Sequence, residues 1–324
     1  MHFLQRRNKQ DKQDMKQIAL TKGIKKYGVN YLGLIPYFSL FIIFVLIPMI
    51  QGISLSFTDW SMRSRGTINF TGFNNYQFLL FSSSVSAQNF RTAIRNMVIY
   101  VLFTVPIGLS IALGLALIIN QFGRKLYTFF RGAFFIPTAL PLFLAAGIWM
   151  WYMSTDVGLV ASLLAKIGIG QGIVWRNTHG YAIALCVIVD VWRAVGFNLV
   201  ILSAGIRNIS REYYEAAEID GASTFQMMRF ITIPLLEPII FLVTVNGFIS
   251  ALQVYDVPWI LSATDHHTAG GPNQVMLFPV MQMVRNIFSG GSSALGRACA
   301  EGVILMLVIM AITYFQFRTR RKNT

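Results

Sequence analysis

Six stretches of the chain are apolar and nearly free of charge, and polar segments separate them. They run at about Leu32–Ser54, Asn96–Asn120, Gly132–Met153, Tyr181–Ile206, Leu235–Val254 and Ala294–Phe317. Each is about 20 residues or longer, the length a helix needs to cross roughly 30 Å of hydrocarbon. The runs are continuously apolar and do not alternate with a period of two, which argues against a membrane barrel. The pattern therefore predicts an all-α polytopic membrane protein with six transmembrane helices. Pro36, Pro48, Pro106, Pro137 and Pro141 lie within or near the runs. Prolines are tolerated there when neighbouring groups satisfy the freed backbone. They predict bent helices around a cavity, with simple packing kinks as the plainer alternative.

Composition supports this class. Of 324 residues, 55% are hydrophobic and 12% charged, against about a quarter charged in a soluble domain. The net charge of +14 would suit a nucleic-acid binder, but its distribution has another explanation. With the N-terminus inside, the inner segments 1–31, 121–131, 207–234 and 318–324 hold 18 Lys and Arg. The outer segments 55–95, 154–180 and 255–293 hold 7. The positive-inside rule then places both termini in the cytoplasm, with contact to lipid headgroups as a further use of the excess. Residues 1–31 read as a basic cytoplasmic segment, helical or disordered, before a retained first anchor. Residues 319–324 read as a basic cytoplasmic tail. Cys186 and Cys299 lie inside apolar runs without metal spacing and read as packing residues.

One segment stands apart. "EYYEAAEIDGAST", Glu212 to Thr224, is acidic and Ala-rich, and on this topology it lies on the cytoplasmic side between the fourth and fifth runs. Ser210 is a suitable N-cap, and Glu212 and Glu215 favour the positive end of a helix. Gly221 breaks the run, and a helical pattern resumes before Pro234. The expectation is a short helix, a glycine kink and a second short helix leading into the fifth span. Its apolar face carries Tyr213, Ala216, Ala217, Phe225 and Met228. That face packs either on this chain's own spans or on another chain.

The longer stretch "EAAEIDGASTFQMMRFITIPLLEP" resembles the EAA motif of ABC importer permeases. The matching positions are Glu215, Ala216, Ala217, Gly221, Ile231, Ile233 and Pro234, with Ile233 where leucine is usual. The resemblance runs from about Tyr31 to Arg318 and is strongest to the sugar-importer branch. "IPYFSLFIIFVLIPMIQGISLSFTDW", "FTGFNNYQFLL", "FFRGAFFIPTALP", "VWRAVGFNLVILSAGI" and "AGGP" occur in this order. It implies a type I ABC importer permease fold over 32–318, in a bacterial cell membrane, with a coupling loop at about 207–234. In that loop Glu215, Ala216, Ala217, Asp220, Gly221, Ala222, Phe225 and Pro234 would engage an ATPase subunit. The implied partners are a second homologous permease, two ATPase subunits and an extracytoplasmic sugar-binding protein. ATP and magnesium would sit on the ATPase, with no cofactor on this chain. Consistent with that division, the sequence holds no GxxxxGK[ST] phosphate loop, no zinc-protease motif, and four histidines without metal spacing, so the chain reads as no enzyme in itself.

Polar residues inside spans are costly and tend to face a bundle interior or an aqueous path. In the fourth run these are Asp190, Arg193 and Asn198, with Trp192 and Phe197 able to stack on a sugar face. Asn246, Gln253, Tyr255 and Asp256 stand near the outer end of the fifth. Asp190 and Arg193, three apart, also read as a self-neutralising pair. Arg297 and Glu301, four apart in the last run, read as a second such pair, or as contacts to a partner permease or an acidic substrate. Gly270, Gly271 and Pro272 form an outer turn that resembles the loop meeting the binding protein. The small basic excess of the outer segments is compatible with acidic oligosaccharides and with neutral ones. Glycerol phosphate or another polar solute is the alternative cargo. A secondary transporter is the alternative class, and it would leave the EAA spacing unexplained.

Overall fold

The computed structural model describes residues 33–61, 68–155, 157–262, 270–289 and 293–323. The basic segment 1–31, together with Asp156 and Asp265, lies outside them. The described chain forms two compact units, one ending at Ser54 and one from Leu55 onward. Among the described residues there is no strand beyond one isolated bridge, Thr58 to Phe70.

Helix α1, Gly33–Leu55, makes up the described part of the first unit, with its last residue, Leu55, opening the second. The second contains α2 (Asn74–Phe81), α3 (Val85–Ile119), α4 (Arg124–Ala139), α5 (Leu142–Tyr152), α6 (Leu159–Lys166) and α7 (Tyr181–Arg207). Then follow α8 (Arg211–Ile219), α9 (Thr224–Leu252), α10 (Asp256–Ser262), α11 (Pro279–Ser289) and α12 (Ala294–Asn323). Among the described residues five helices, α1, α3, α7, α9 and α12, are long and apolar enough to cross a membrane.

The third predicted span is not a straight helix. α4 and α5 cover this run and are bent by 96° relative to each other. The cause is local: Leu140 precedes Pro141 and takes an extended backbone (φ −71°, ψ 138°), as the residue before a proline prefers. The second span begins eleven residues earlier than its apolar run, at Val85, where the Ser84 side chain accepts from the Ala87 N–H and caps the helix. Hydropathy alone misses this extra length because its first turns are polar.

Two helices widen into a π turn, at Ile42–Leu46 and at Met228–Thr232. Each stands two residues before a proline, Pro48 and Pro234. A proline ring collides with the carbonyl four residues back and leaves it without a donor. A π turn relieves both by shifting the bonds one residue. The Ile47 N–H donates to the Ile42 carbonyl, and the Ile233 N–H to that of Met228. The second short helix after Gly221 is therefore no separate element, as expected from the sequence, but the first turn of the fifth span.

α7 lies at the centre of the second unit and packs against α3 and α4. Small residues let the backbones approach, as is usual between membrane helices. Ala112 and Ala116 of α3 are wholly buried. A Cβ on Gly196 of α7 would lie 2.2 Å from the Phe134 carbonyl oxygen of α4. The Thr138 hydroxyl donates to the Arg193 carbonyl across the same seam at 2.6 Å. Many large apolar residues on the outer faces, such as Leu102 and Phe103, stay exposed, as helices facing lipid require.

The segment after α1 is pinned to the start of α12. The Asn75 amide donates to the carbonyls of Ser56 and Thr58, both at 2.8 Å. The N–H groups of Leu295 and Gly296 donate to the Trp60 carbonyl. Arg297 and Glu301 do not pair, contrary to the simplest reading of their spacing. The Arg297 guanidinium lies over the Phe78 ring, 3.9 Å from its centroid. Glu301 is 0% exposed and accepts from the Asn286 amide of α11 at 2.7 Å, while its other carboxyl oxygen has no partner. Its carboxyl thus clamps α11 to α12. Replacing it by alanine deletes this hydrogen bond between the two helices, a loss of about 1–3 kcal/mol. Glu301→Gln keeps one acceptor and is expected to lose less, a difference that thermal melting of the purified protein checks.

Candidate functional site

Between α3, α7 and α9 is a cavity of about 500 Å³. Asp190, Arg193, Phe197 and Asn198 of α7 line it, with Asn246 of α9 and, just beyond that helix, Gln253 and Tyr255. Eight of the nine residues named from the sequence, Asp256 among them, thus share one space. The ninth, Trp192, does not line it. One residue along a helix turns the side chain by about 100°, and Trp192 packs edge-on against Trp149 of α5, 5.9 Å between centroids.

The expected Asp190–Arg193 pair does not form. Asp190 instead accepts a hydrogen bond from the Tyr100 hydroxyl of α3. Arg193 keeps a buried Nε without a partner. The acid is thereby held by a neutral donor, and no described residue accepts from the buried Arg193 Nε. Tyr100, Thr104, Thr138 and Ser250 also line the cavity, and the sequence reasoning passed over them. Tyr100 and Thr104 stand four apart in an apolar run, the spacing of one helix face, which was the available signal. Asp256 joins the lining, and beside it burial and the Asp256 carboxylate push the Tyr255 phenol up. Tyr255 is therefore a neutral donor at ordinary pH, stacked on Trp259 at 5.3 Å. Hydroxyl, amide, carboxylate and guanidinium groups beside the exposed ring of Phe197 are the chemistry that binds a polyhydroxylated ring: polar edges to donors and acceptors, apolar face to an aromatic.

At one end of this helix set lies the acidic loop. Ser210 caps α8 by accepting from the Glu212 N–H. The exit is a Schellman turn: Gly221 has φ +76°, its N–H donates to the Glu218 carbonyl, and the Ala222 N–H donates to that of Ala217. Ser223 and Gln226 then form a capping box that starts α9. Thus Gly221 serves a backbone need, and the spacing from Ala217 to Ser223 is the spacing of a stop followed by a start. Glu215, Ala216, Asp220 and Pro234 are exposed, and Ala217 and Ala222 half-buried. Ile219 is 87% and Phe225 62% exposed. This apolar face is left open by the chain's own spans.

At the other end, Gly270 (φ +106°) and Gly271 (φ +70°) form the outer turn, with Pro272 opening a short 3-10 turn. Asn96 of α3, 0% exposed, holds the chain that follows it. Its amide donates to the carbonyls of Gln274, Val275 and Leu277 at 3.1, 3.4 and 3.0 Å, and its oxygen meets His179 Nε2 at 3.1 Å. Burial and nearby Arg95 push the His179 imidazole down, so it is neutral at pH 7. Asn96→Ala leaves those carbonyls short of a donor at a cost of about 1–3 kcal/mol. Faster proteolysis between residues 270 and 278 is the expected result, with the rest of the chain protected as before.

Comparison with known proteins adds four findings. The family model of the binding-protein-dependent transport system inner membrane component matches residues 104–321. The sulfoquinovosyl glycerol transport system permease protein of Agrobacterium fabrum is 31% identical over 86% of this chain and 85% of its own length. The arabinooligosaccharides transport system permease protein of Halalkalibacterium halodurans is 28% identical over 89% and 86%. Among solved structures, a bacterial alginate ABC transporter, in complex with a periplasmic protein that holds an alginate pentasaccharide, contains a chain of the same fold. The TM-score is 0.77 and the identity 24%, covering 94% of this chain and 97% of that one.

Proposed function

The chain belongs to the family of binding-protein-dependent transport system inner membrane components, and on that premise we propose that it is the membrane permease of an ATP-driven importer for a sugar or oligosaccharide. One observation carries the reading: helix α9 starts at the open acidic loop and also supplies Asn246 and Ser250 to the polar cavity. A surface suited to an ATPase and a space suited to a sugar are thus joined by one continuous element. The relatives are permeases of carbohydrate transport systems by name. A second permease completes the cavity, two ATPase subunits receive the coupling loops, and a binding protein delivers cargo on the side of the Gly270 turn. ATP hydrolysis belongs to the ATPase subunits. Transport then proceeds by alternating access, each ligand shifting the balance of states only by its different affinity for them.

The cavity favours hydroxyl-rich cargo more than it favours one charge. This chain lines it with the carboxylates of Asp190 and Asp256 against the single guanidinium of Arg193. The test is to purify the chain with its neighbours in lipid and to measure ATPase activity with the binding protein and a panel of neutral and acidic oligosaccharides. Stimulation by a sugar is expected, and Arg193→Ala should lower it by about tenfold or more, the loss of one charged hydrogen bond. A larger loss for acidic sugars identifies the anion as the partner of Arg193. If no ATPase subunit accompanies the chain, the reading fails.

A further inference from the structure

A second cavity, about 640 Å³, opens where the spans end beside the acidic loop. Asn120 and Gln121, just past α3, form one wall, and Arg207 ends α7 at another. Arg211 of α8 and Thr224 of α9 complete it, and no Asp or Glu lines it. Arg207 is held in place twice. Its guanidinium lies over the Tyr127 ring, 3.5 Å from the centroid, and its Nε donates to the Asn120 side-chain oxygen at 3.1 Å. Its two terminal amino groups donate to no described residue. Arg211 likewise has no ion pair or side-chain hydrogen bond among the described residues.

A guanidinium fixed by a ring and one hydrogen bond has already lost its rotational freedom, so a bidentate oxyanion binds it at little further entropic cost. Arg207, so fixed, and Arg211 stand beside the hydroxyls of Tyr214 and Thr224, with no acid in the lining to balance them, and form a cradle for a phosphate. The cavity has a second character as well. Leu117, Ile206, Met227 and Met228 line the same space. A free ion has no use for that apolar wall, whereas a phosphate carrying a glycerol and acyl stem does. The depth agrees, because Ile119, Arg207 and Thr224 are the ends of three candidate spans, the level of the headgroups.

We infer that this cavity is a phospholipid site, in which Arg207 and Arg211 take the headgroup phosphate and the apolar wall takes the stem. A lipid there would sit against α8 and the first turn of α9, and would brace the acidic loop.

The test uses the purified transporter complex, delipidated and then titrated with phosphatidylglycerol, with lipid retention read by native mass spectrometry. Wild type is expected to keep bound lipid that Arg207→Gln with Arg211→Gln releases at least tenfold more readily. Arg207→Lys, which keeps the charge and loses the fork, should fall between, a gradation that a merely misfolded variant would not give. Arg229→Gln, outside the cavity, should match wild type. Equal retention by the double variant overturns the site. Displacement of the lipid by millimolar glycerol 3-phosphate or inorganic phosphate overturns the lipid as occupant and leaves a soluble phosphate in its place.

Discussion

Gly221→Pro is expected to abolish transport while leaving the chain in the membrane. Proline fixes φ near −65°, and the backbone at Gly221 stands at +76°. The substitution also deletes the N–H that donates to the Glu218 carbonyl. The Schellman turn cannot close, and α8 either unravels or leaves at a different angle. A Cβ at this position meets no atom within 4 Å, so crowding plays no part in the loss. That makes the series informative. Gly221→Ala suffers only the left-handed backbone penalty of about 1–2 kcal/mol, and Gly221→Asn less, because asparagine tolerates that region. Sugar-stimulated ATPase activity should therefore rank glycine, asparagine, alanine, proline. Equal activity across the series would show that the angle between α8 and α9 is irrelevant to coupling.

The second large effect is expected at Gly196, and it is one of assembly. There an added methyl would lie 2.2 Å from the Phe134 carbonyl oxygen and 2.9 Å from the Phe135 Cα. Both are backbone atoms and cannot swing aside. Gly196→Ala must push α4 away from α7 and stretch the Thr138 bond to the Arg193 carbonyl, an overpacking cost of about 1–3 kcal/mol. Gly196→Val should exceed it and leave little folded protein. Gly114→Ala, in α3 with nothing within 4 Å, is the matched control and should be neutral or slightly stabilising. Thermal melting and membrane abundance measure both. The neighbours Arg193 and Phe197 line the cavity, so any Gly196→Ala protein that folds should also bind cargo less well.

The contrast between these two glycines shows what could be read before the fold was known. Gly221 was legible because its need is local: three residues of turn geometry are written into three residues of sequence. Gly196 looked like any small residue in a span, because its constraint comes from Phe134, sixty-two positions earlier. The same division runs through the cavity. Polarity on an apolar helix singled out Asp190, Arg193 and Asn198, since such groups need an interior, and all three line the cavity. Spacing also offered Asp190 and Arg193 as a self-neutralising pair, whereas the hydrogen bond on the carboxylate comes from Tyr100, on a different helix. Glu301 repeats the lesson, answered by Asn286 and not by Arg297. Charge spacing along one helix lists the partners available locally, and tertiary packing can supply better ones. Trp192 failed for a third reason: composition says that an aromatic is present, and only the helical phase says which way it faces.

The continuity of α9 has a mechanical side. From Thr224 at the loop to Asn246 at the cavity the helix measures about 33 Å, at 1.5 Å per residue. A rod of that length tilted by about 10° at one end displaces the other by about 6 Å, comparable to one turn of helix. No relay of side chains is needed to carry a push that far. The weak link of such a rod is its π turn at Met228–Thr232, within two turns of the driven end. The hydroxyls of Tyr214 and Thr232 meet there at 2.9 Å, bracing the rod to α8 where it would otherwise flex, so that a tilt of the loop end is carried along the helix instead of being lost in the joint.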